Sequence, residues 1–147
     1  MIAPYSISSE LEIFGHIIYA CVLGLIIGFE RERHQKNASS AGIRTYGSIA
    51  LGACVFGLIG MHSTGDPTRV AAQVVSGIGF LGGGIIFRQG DMVKGLTTAA
   101  TLWATASVGL AVAVGMRITA ALITLLIFLL LYLSRLKWWK RISAKSD

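Results

Sequence analysis

Five stretches without a charged side chain dominate the pattern of hydrophobic and polar positions along the chain. Each contains between about 17 and 22 residues, and they run over 13–29, 45–65, 70–87, 95–116 and 118–134. A helix needs about 17 to 25 predominantly apolar residues to cross the roughly 30 Å hydrocarbon core of a bilayer. The pattern therefore predicts an all-α polytopic membrane protein, a bundle of about five transmembrane helices in one domain over 1–147, with spans near 12–29, 45–62, 69–87, 96–115 and 117–135.

The last two stretches are separated by a single charged residue, Arg117. As one helix they would be about 60 Å long at roughly 1.5 Å per residue, which is twice the hydrocarbon thickness. We therefore expect the chain to turn near Gly115, Met116 and Arg117 and to continue as a separate fifth helix.

Composition and charge agree with lipid as the surrounding medium. The mean hydropathy is +0.69, and 14% of the residues are charged, against about 25% in soluble domains. Five spans with the N-terminus outside and the C-terminus inside place all of the 13 Lys and Arg residues except Arg69 and Arg117 on the cytoplasmic side, as positive-inside orientation requires. Because these cations lie at helix ends and not on one soluble face, the net charge of +6 does not indicate nucleic-acid binding.

Small residues distinguish the predicted helices from one another, because they let helix backbones approach closely in a membrane. The third stretch is rich in Gly and the fourth in Ala and Thr, so we expect these two to form the packed centre and the Leu-rich fifth to face lipid. The first stretch has two glycines four positions apart, a pattern typical of packing within a chain or of a homodimer. The predicted helix-packing positions are Gly24, Gly28, Gly77, Gly79, Gly82 and Gly83.

Polar residues on the third and fourth stretches lie at helical spacing. Asp66, Arg69, Gln73 and Ser76 share one helix face and extend about 15 Å from one end, and Thr98 and Thr101 enter the fourth stretch from the other end. Polar groups at this depth are typical of a solute or ion pathway. The alternative is that Asp66 caps the helix and the others form ordinary interhelical hydrogen bonds.

Charged residues mark the boundary of the first two stretches on the predicted cytoplasmic side. Glu30 would be costly to desolvate unless Arg44 or Arg88 pairs with it, and the alternative is a solvated determinant of topology. His16, within the first stretch, is interpreted either as a proton carrier or as a hydrogen-bonded packing residue.

The sequence contains no pattern that indicates an enzyme. There are no paired intramembrane carboxylates, no His and Glu at metal-binding spacing and no serine triad that can be placed. The run from Gly77 to Gly82 matches the dinucleotide fingerprint, but it lacks the preceding strand and the later acidic residue. We therefore predict no catalytic residue, no metal site and no cofactor.

Three runs of the sequence resemble the membrane domain of the MgtC/SapB family. These are Glu30-Arg31 with the later Gly42-Ile43-Arg44-Thr45, the run from Asp66 to Gly84, and the run from Gly95 to Trp103. Some relatives carry Asn at the position of Thr97. The chain resembles the short, SapB-like members that have no C-terminal cytoplasmic domain. By this resemblance the family motif at the cytoplasmic boundary corresponds to Glu30, Arg31, Arg44 and Thr45, with Arg88 nearby.

The resemblance implies a multi-pass protein of the bacterial inner membrane that is linked to magnesium limitation. Family members have been discussed as magnesium transporters and as regulators of other membrane machinery. We therefore expect a non-enzymatic protein that modulates magnesium-linked ion homeostasis or a membrane partner. The alternative is a transporter or channel for a cation or small solute through the polar residues of the third and fourth stretches. The expected partners are the lipid bilayer, another membrane protein or complex and a second copy of the chain, but no nucleic acid.

Overall fold

Helices make up most of the computed structural model, which describes residues 6–33, 41–63 and 65–133. Within these ranges there are five helices and one short hairpin. In chain order they are α1 (Ile7–Glu32), α2 (Ile43–Met61), α3 (Pro67–Ile85), β1 (Phe87–Gln89), β2 (Met92–Lys94), α4 (Leu96–Ala113) and α5 (Arg117–Leu133). The predicted turn before Arg117 is confirmed, and Gly115 takes the left-handed conformation there, with φ +81°. The predicted end of the fifth span at 135 lies outside the described residues.

Three of the described helices, α1, α2 and α4, are long and apolar enough to cross a membrane. The fifth, α5, is apolar but has 17 residues. α3 has 19 residues but is not among these three helices, and it carries Arg69 and Gln73 in its first half. The chain is therefore a helical membrane protein, while five spans and their orientation remain predictions.

The start of α3 follows its sequence signals, but its end does not. Asp66 is the N-cap residue and Pro67 occupies the first helical position, as these residue types favour. The third span is predicted to run to residue 87, whereas the helix ends at Ile85. Arg88 lies in an exposed antiparallel hairpin, in which Gly90, with φ +61°, and Asp91 form a two-residue turn of the kind that favours Gly at its first central position.

The packed centre of the bundle consists of α1, α2 and α4. Tyr46 on α2, Ile27 on α1 and Val108 on α4 are fully buried. In α3, by contrast, only Gly82 is buried among the residues described. The expectation that the third and fourth helices form the centre is therefore correct for α4 and wrong for α3, which packs along the side of α2 and α4.

Close backbone approach explains why α1 and α2 carry glycine where they meet. A Cβ atom at Gly24 would lie 2.6 Å from the Tyr46 carbonyl oxygen, and one at Gly28 would lie 2.6 Å from the Ile43 Cα. This face of α1 is covered by α2 of the same chain, so its small residues serve internal packing and are not available for a homodimer.

The glycines of α3 differ from this arrangement. A Cβ at Gly82 would contact the Ala99 side chain at 3.4 Å, so this residue packs against α4. Around Gly77, Gly79 and Gly83 a Cβ would meet no described atom within 4 Å. These three were predicted to be packing positions, but they border open space in the single chain.

Candidate functional site

A cluster of polar side chains lies where α1, α2 and α4 meet. Arg31 donates a hydrogen bond from its guanidinium to the Thr98 hydroxyl and also lies against the Tyr46 hydroxyl. The Tyr46 hydroxyl donates to Thr101 Oγ1 at 3.2 Å. We call Arg31, Tyr46, Thr98 and Thr101 the buried polar cluster, because the last three are buried and Arg31 is half-buried.

Thr101 acts as an acceptor in this cluster because its own hydroxyl proton is donated within α4. Thr101 donates its hydroxyl to the carbonyl oxygen of Thr97, one turn earlier, and Thr105 donates to that of Thr101 at 2.8 Å. Such back-bonding is common for Thr in helices, and it leaves the oxygen lone pairs free to accept. α4 therefore offers acceptors to donors from α1 and α2.

The predicted family-motif residues at this end of the bundle occupy different environments. Glu30 is 4% exposed, whereas Arg44 and Thr45 are exposed in the first turn of α2. The predicted partner Arg88 is paired with Asp91 instead, with 3.5 Å between Nη2 and Oδ1.

Tyr46 and Glu32 contribute contacts at this end that the sequence did not predict. The Glu32 carboxylate accepts from the Ile43 backbone N–H at 2.7 Å and so satisfies one free donor at the start of α2. Glu32 is the last residue of α1 and lies 11 positions before Ile43, so no local signal relates it to the start of α2. No local signal relates Tyr46 to α4.

The predicted polar seam between the third and fourth helices is not formed by the described residues. Thr98 and Thr101 face Arg31 and Tyr46. The polar residues of α3 are instead exposed; they are Asp66, Arg69, Gln73 and Ser76. The two polar stripes therefore do not face each other, because the threonine side of α4 is turned towards α1 and α2.

A lateral groove lies between α2 and α3. It has a volume of about 550 Å³, and its lining is mainly apolar, with Ile49 and Phe56 from α2 and Val74 and Leu81 from α3. Gln73 is among its few polar lining residues. We call this cavity the α2–α3 groove.

Another polar group connects α1 to the start of α5. Arg117 Nη2 lies 2.5 Å from His16 Nε2 and 3.9 Å from Glu12 Oε1. The Tyr19 hydroxyl donates to the Arg117 carbonyl oxygen at 3.3 Å. His16 thus has a hydrogen-bonded role in holding two helices together, which favours the packing interpretation over a proton carrier.

Comparison with known proteins shows which family the chain belongs to. Residues 17–137 match the model of the MgtC family. The chain belongs to this family. It is 51% identical to Protein MgtC of Brucella abortus (strain 2308) over 111 residues. This aligned region covers 74% of the chain and 45% of the relative. It is 46% identical to Protein MgtC of Salmonella typhimurium (strain LT2) over 113 residues, and this aligned region covers 76% of the chain and 48% of the relative.

The chain spans about half the length of these MgtC relatives. No solved structure matches it. The match to the MgtC family begins within α1 and includes every member of the buried polar cluster as well as the α2–α3 groove. Both features therefore belong to the part of the chain that the family shares.

Metal ligands do not cluster in the described part of this MgtC-family chain. No group of three or more His, Cys, Asp or Glu side chains is placed to hold a metal ion there. Cys21 and Cys54 are free thiols on different helices.

Asp66 has a capping role that can be tested by pH. The Thr68 hydroxyl, at 2.7 Å, and the Thr68 backbone N–H, at 2.9 Å, both donate to its Oδ1, and they hold the pKa of this carboxyl below its ordinary value of 3.8. A lowered pKa means that the cap stabilises the helix start above pH 3.8 and that this contribution is lost as the pH falls through the folded-state pKa.

We therefore expect the Thr68 amide resonance, followed by NMR in detergent micelles, to titrate with a midpoint below 3.8. In Asp66→Asn, which keeps an acceptor oxygen but has no ionisable group, the resonance should not titrate over this range. A midpoint at or above 3.8 in the natural chain would contradict the capping bonds.

Proposed function

We propose that the chain is a multi-pass protein of the bacterial inner membrane, with five spans, the N-terminus outside and the C-terminus inside. We further propose that it is not an enzyme and that it modulates magnesium-linked ion homeostasis by binding another membrane protein. Membership of the MgtC family supports the link to magnesium. The distribution of Lys and Arg along the sequence supports the orientation.

The exposure of α3 is the observation that favours a protein partner. On its outer face Ser76 is exposed and Phe80 is 84% exposed, and they lie four residues apart on the same side. Small and polar residues facing hydrocarbon are typical of helix contact surfaces in membranes. A partner helix on this face would shield the Ser76 hydroxyl and pack against the neighbouring glycines.

Site-specific photo-crosslinking tests this proposal. A photoreactive amino acid at position 76 should form an adduct with one membrane protein, whereas the same group at Leu122, which is exposed on α5, should react with lipid. The same photoreactive group can also be placed at position 80. Ser76→Trp should abolish the protein adduct formed from position 80 and should reduce growth under magnesium limitation. Leu122→Trp is the matched control and should leave both unchanged.

Flux measurements on the purified chain in liposomes separate this function from the alternative. We expect no cation flux above that of empty liposomes. Reproducible cation flux that is lost in Asp66→Asn would support a transporter and defeat the modulator proposal. Unimpaired growth of Ser76→Trp would show that the outer face of α3 is not the binding surface.

A further inference from the structure

The α2–α3 groove is kept open by glycine on both of its walls. Gly52 on α2 and Gly77 on α3 line the groove, and at neither position would a Cβ meet a described atom within 4 Å. Each could therefore carry a side chain without a clash. The groove is therefore a cavity between α2 and α3, lined by residues of both helices.

The length of the groove corresponds to one leaflet of a bilayer. Along α2 it extends from Thr45, in the first turn, to Phe56, about 16 Å at roughly 1.5 Å per residue. Half of a hydrocarbon core is about 15 Å. A second cavity of about 580 Å³ shares Thr45, Ile49 and Leu81 with the groove and continues it towards Ile85 at the end of α3.

An exposed cation, Arg44, lies near the Thr45 end of the groove. Arg44 directly precedes Thr45 and is exposed, and it forms no ion pair with another residue of the described ranges. Three acidic side chains lie at this end of the bundle: Glu30 is buried, Glu32 accepts from the Ile43 N–H at 2.7 Å, and Asp91 pairs with Arg88 at 3.5 Å. The Thr45 end of an apolar groove is thus adjacent in the chain to an exposed cation.

We propose that the α2–α3 groove binds one acyl chain of an anionic phospholipid, whose headgroup phosphate is held by Arg44. The apolar lining matches the hydrocarbon chain, and the charge of Arg44 matches the phosphate, for which Arg is well suited. The inference rests on the proposed location in a membrane, but it is independent of a protein partner, because Ser76 is not a lining residue of the groove.

Lipid binding to the purified full chain tests this inference. The detergent-solubilised chain is titrated with dioleoyl phosphatidylglycerol and, separately, with dioleoyl phosphatidylcholine, and bound lipid is counted by native mass spectrometry. We expect one phosphatidylglycerol per chain, bound more tightly than phosphatidylcholine. Arg44→Gln should reduce this preference about fivefold, the value of one cation at an anionic surface, and Arg33→Gln, which removes an exposed cation at the end of α1, should not.

Leucine substitutions locate the lipid. Gly77→Leu and Gly52→Leu fill the groove from opposite walls, and each should reduce binding of both lipids at least tenfold. Gly15→Leu is the matched control, because Gly15 lies on α1 with open space around it and outside the groove. Circular dichroism checks that each variant is folded. If one of the two groove variants does not fold, the test rests on the variant of the opposite wall.

Three outcomes would overturn the inference. Unchanged lipid binding in a folded Gly77→Leu or Gly52→Leu would place the lipid elsewhere. Equal affinity of the natural chain for the two lipids would show that Arg44 does not select an anionic headgroup. A dimer that either leucine substitution converts to a monomer would assign the groove to a second copy of the chain. None of these outcomes bears on crosslinking at Ser76, so the two proposals can fail separately.

Discussion

A single methyl group at position 109 is expected to lower the stability of the helical bundle by about 3 kcal/mol. Gly109 lies on α4 directly against the backbone of α2. A Cβ atom there would overlap with the Ala50 carbonyl oxygen and lie 2.9 Å from the Cys54 backbone nitrogen. Backbone atoms inside a helix cannot rotate away as a side chain can, so Gly109→Ala must move α2 and α4 apart.

Unfolding of the purified chain in mixed micelles measures this effect. Gly52→Ala is the matched control, because its Cβ would meet no described atom within 4 Å. In an unstrained helix interior, Ala is more stable than Gly by roughly 0.5–1 kcal/mol, so the control should be slightly stabilised. Equal effects of the two substitutions would show that α2 and α4 are not in the close contact described here.

The helices were predictable from the sequence because lipid imposes a simple constraint. Each buried peptide group in a membrane needs an internal hydrogen bond, so a long apolar run has few alternatives to a helix. This constraint predicts the five helical segments and the turn before Arg117, and both are confirmed among the described residues. It does not specify which helices are neighbours.

The position of α3 at the side of the bundle could not be predicted from its residue types. Its glycines permit close approach, and the prediction assumed that this approach occurs inside the chain. Glycine is compatible with both an internal helix contact and an open surface, and Gly77 borders a groove whereas Gly82 contacts α4. The hairpin was missed because its strands, Phe87–Gln89 and Met92–Lys94, are too short to show an alternating pattern.

The candidate site was predictable only in part. Arg31 and Thr98 were both singled out, but for separate reasons, and they are 67 positions apart. Tyr46 gave no signal, because an aromatic residue near the start of a span is typical of the membrane interface. No local sequence pattern indicates that α1, α2 and α4 meet at this point. The buried polar cluster forms because residues of all three helices come together there.

The buried polar cluster should depend on the charge of Arg31. Arg31→Met keeps most of the side-chain volume but removes the donor to Thr98 and the cation beside the Tyr46 hydroxyl. A hydrogen bond from a charged group contributes about 1.5–3 kcal/mol, so we expect a loss of stability of about 2 kcal/mol. Arg33→Met, at the exposed C-cap of α1, should change stability by less than about 0.5 kcal/mol.

A double-mutant cycle with Thr98→Val assigns this loss to the hydrogen bond itself. If Arg31 acts through Thr98, removing both partners should cost less than the two single losses added together, because the bond is lost only once. Additive effects would mean that Arg31 stabilises the bundle by another contact. Since Thr98 lies in the first turn of α4 and Arg31 in the last turn of α1, coupling between them would show that the family-motif arginine fixes the position of α4.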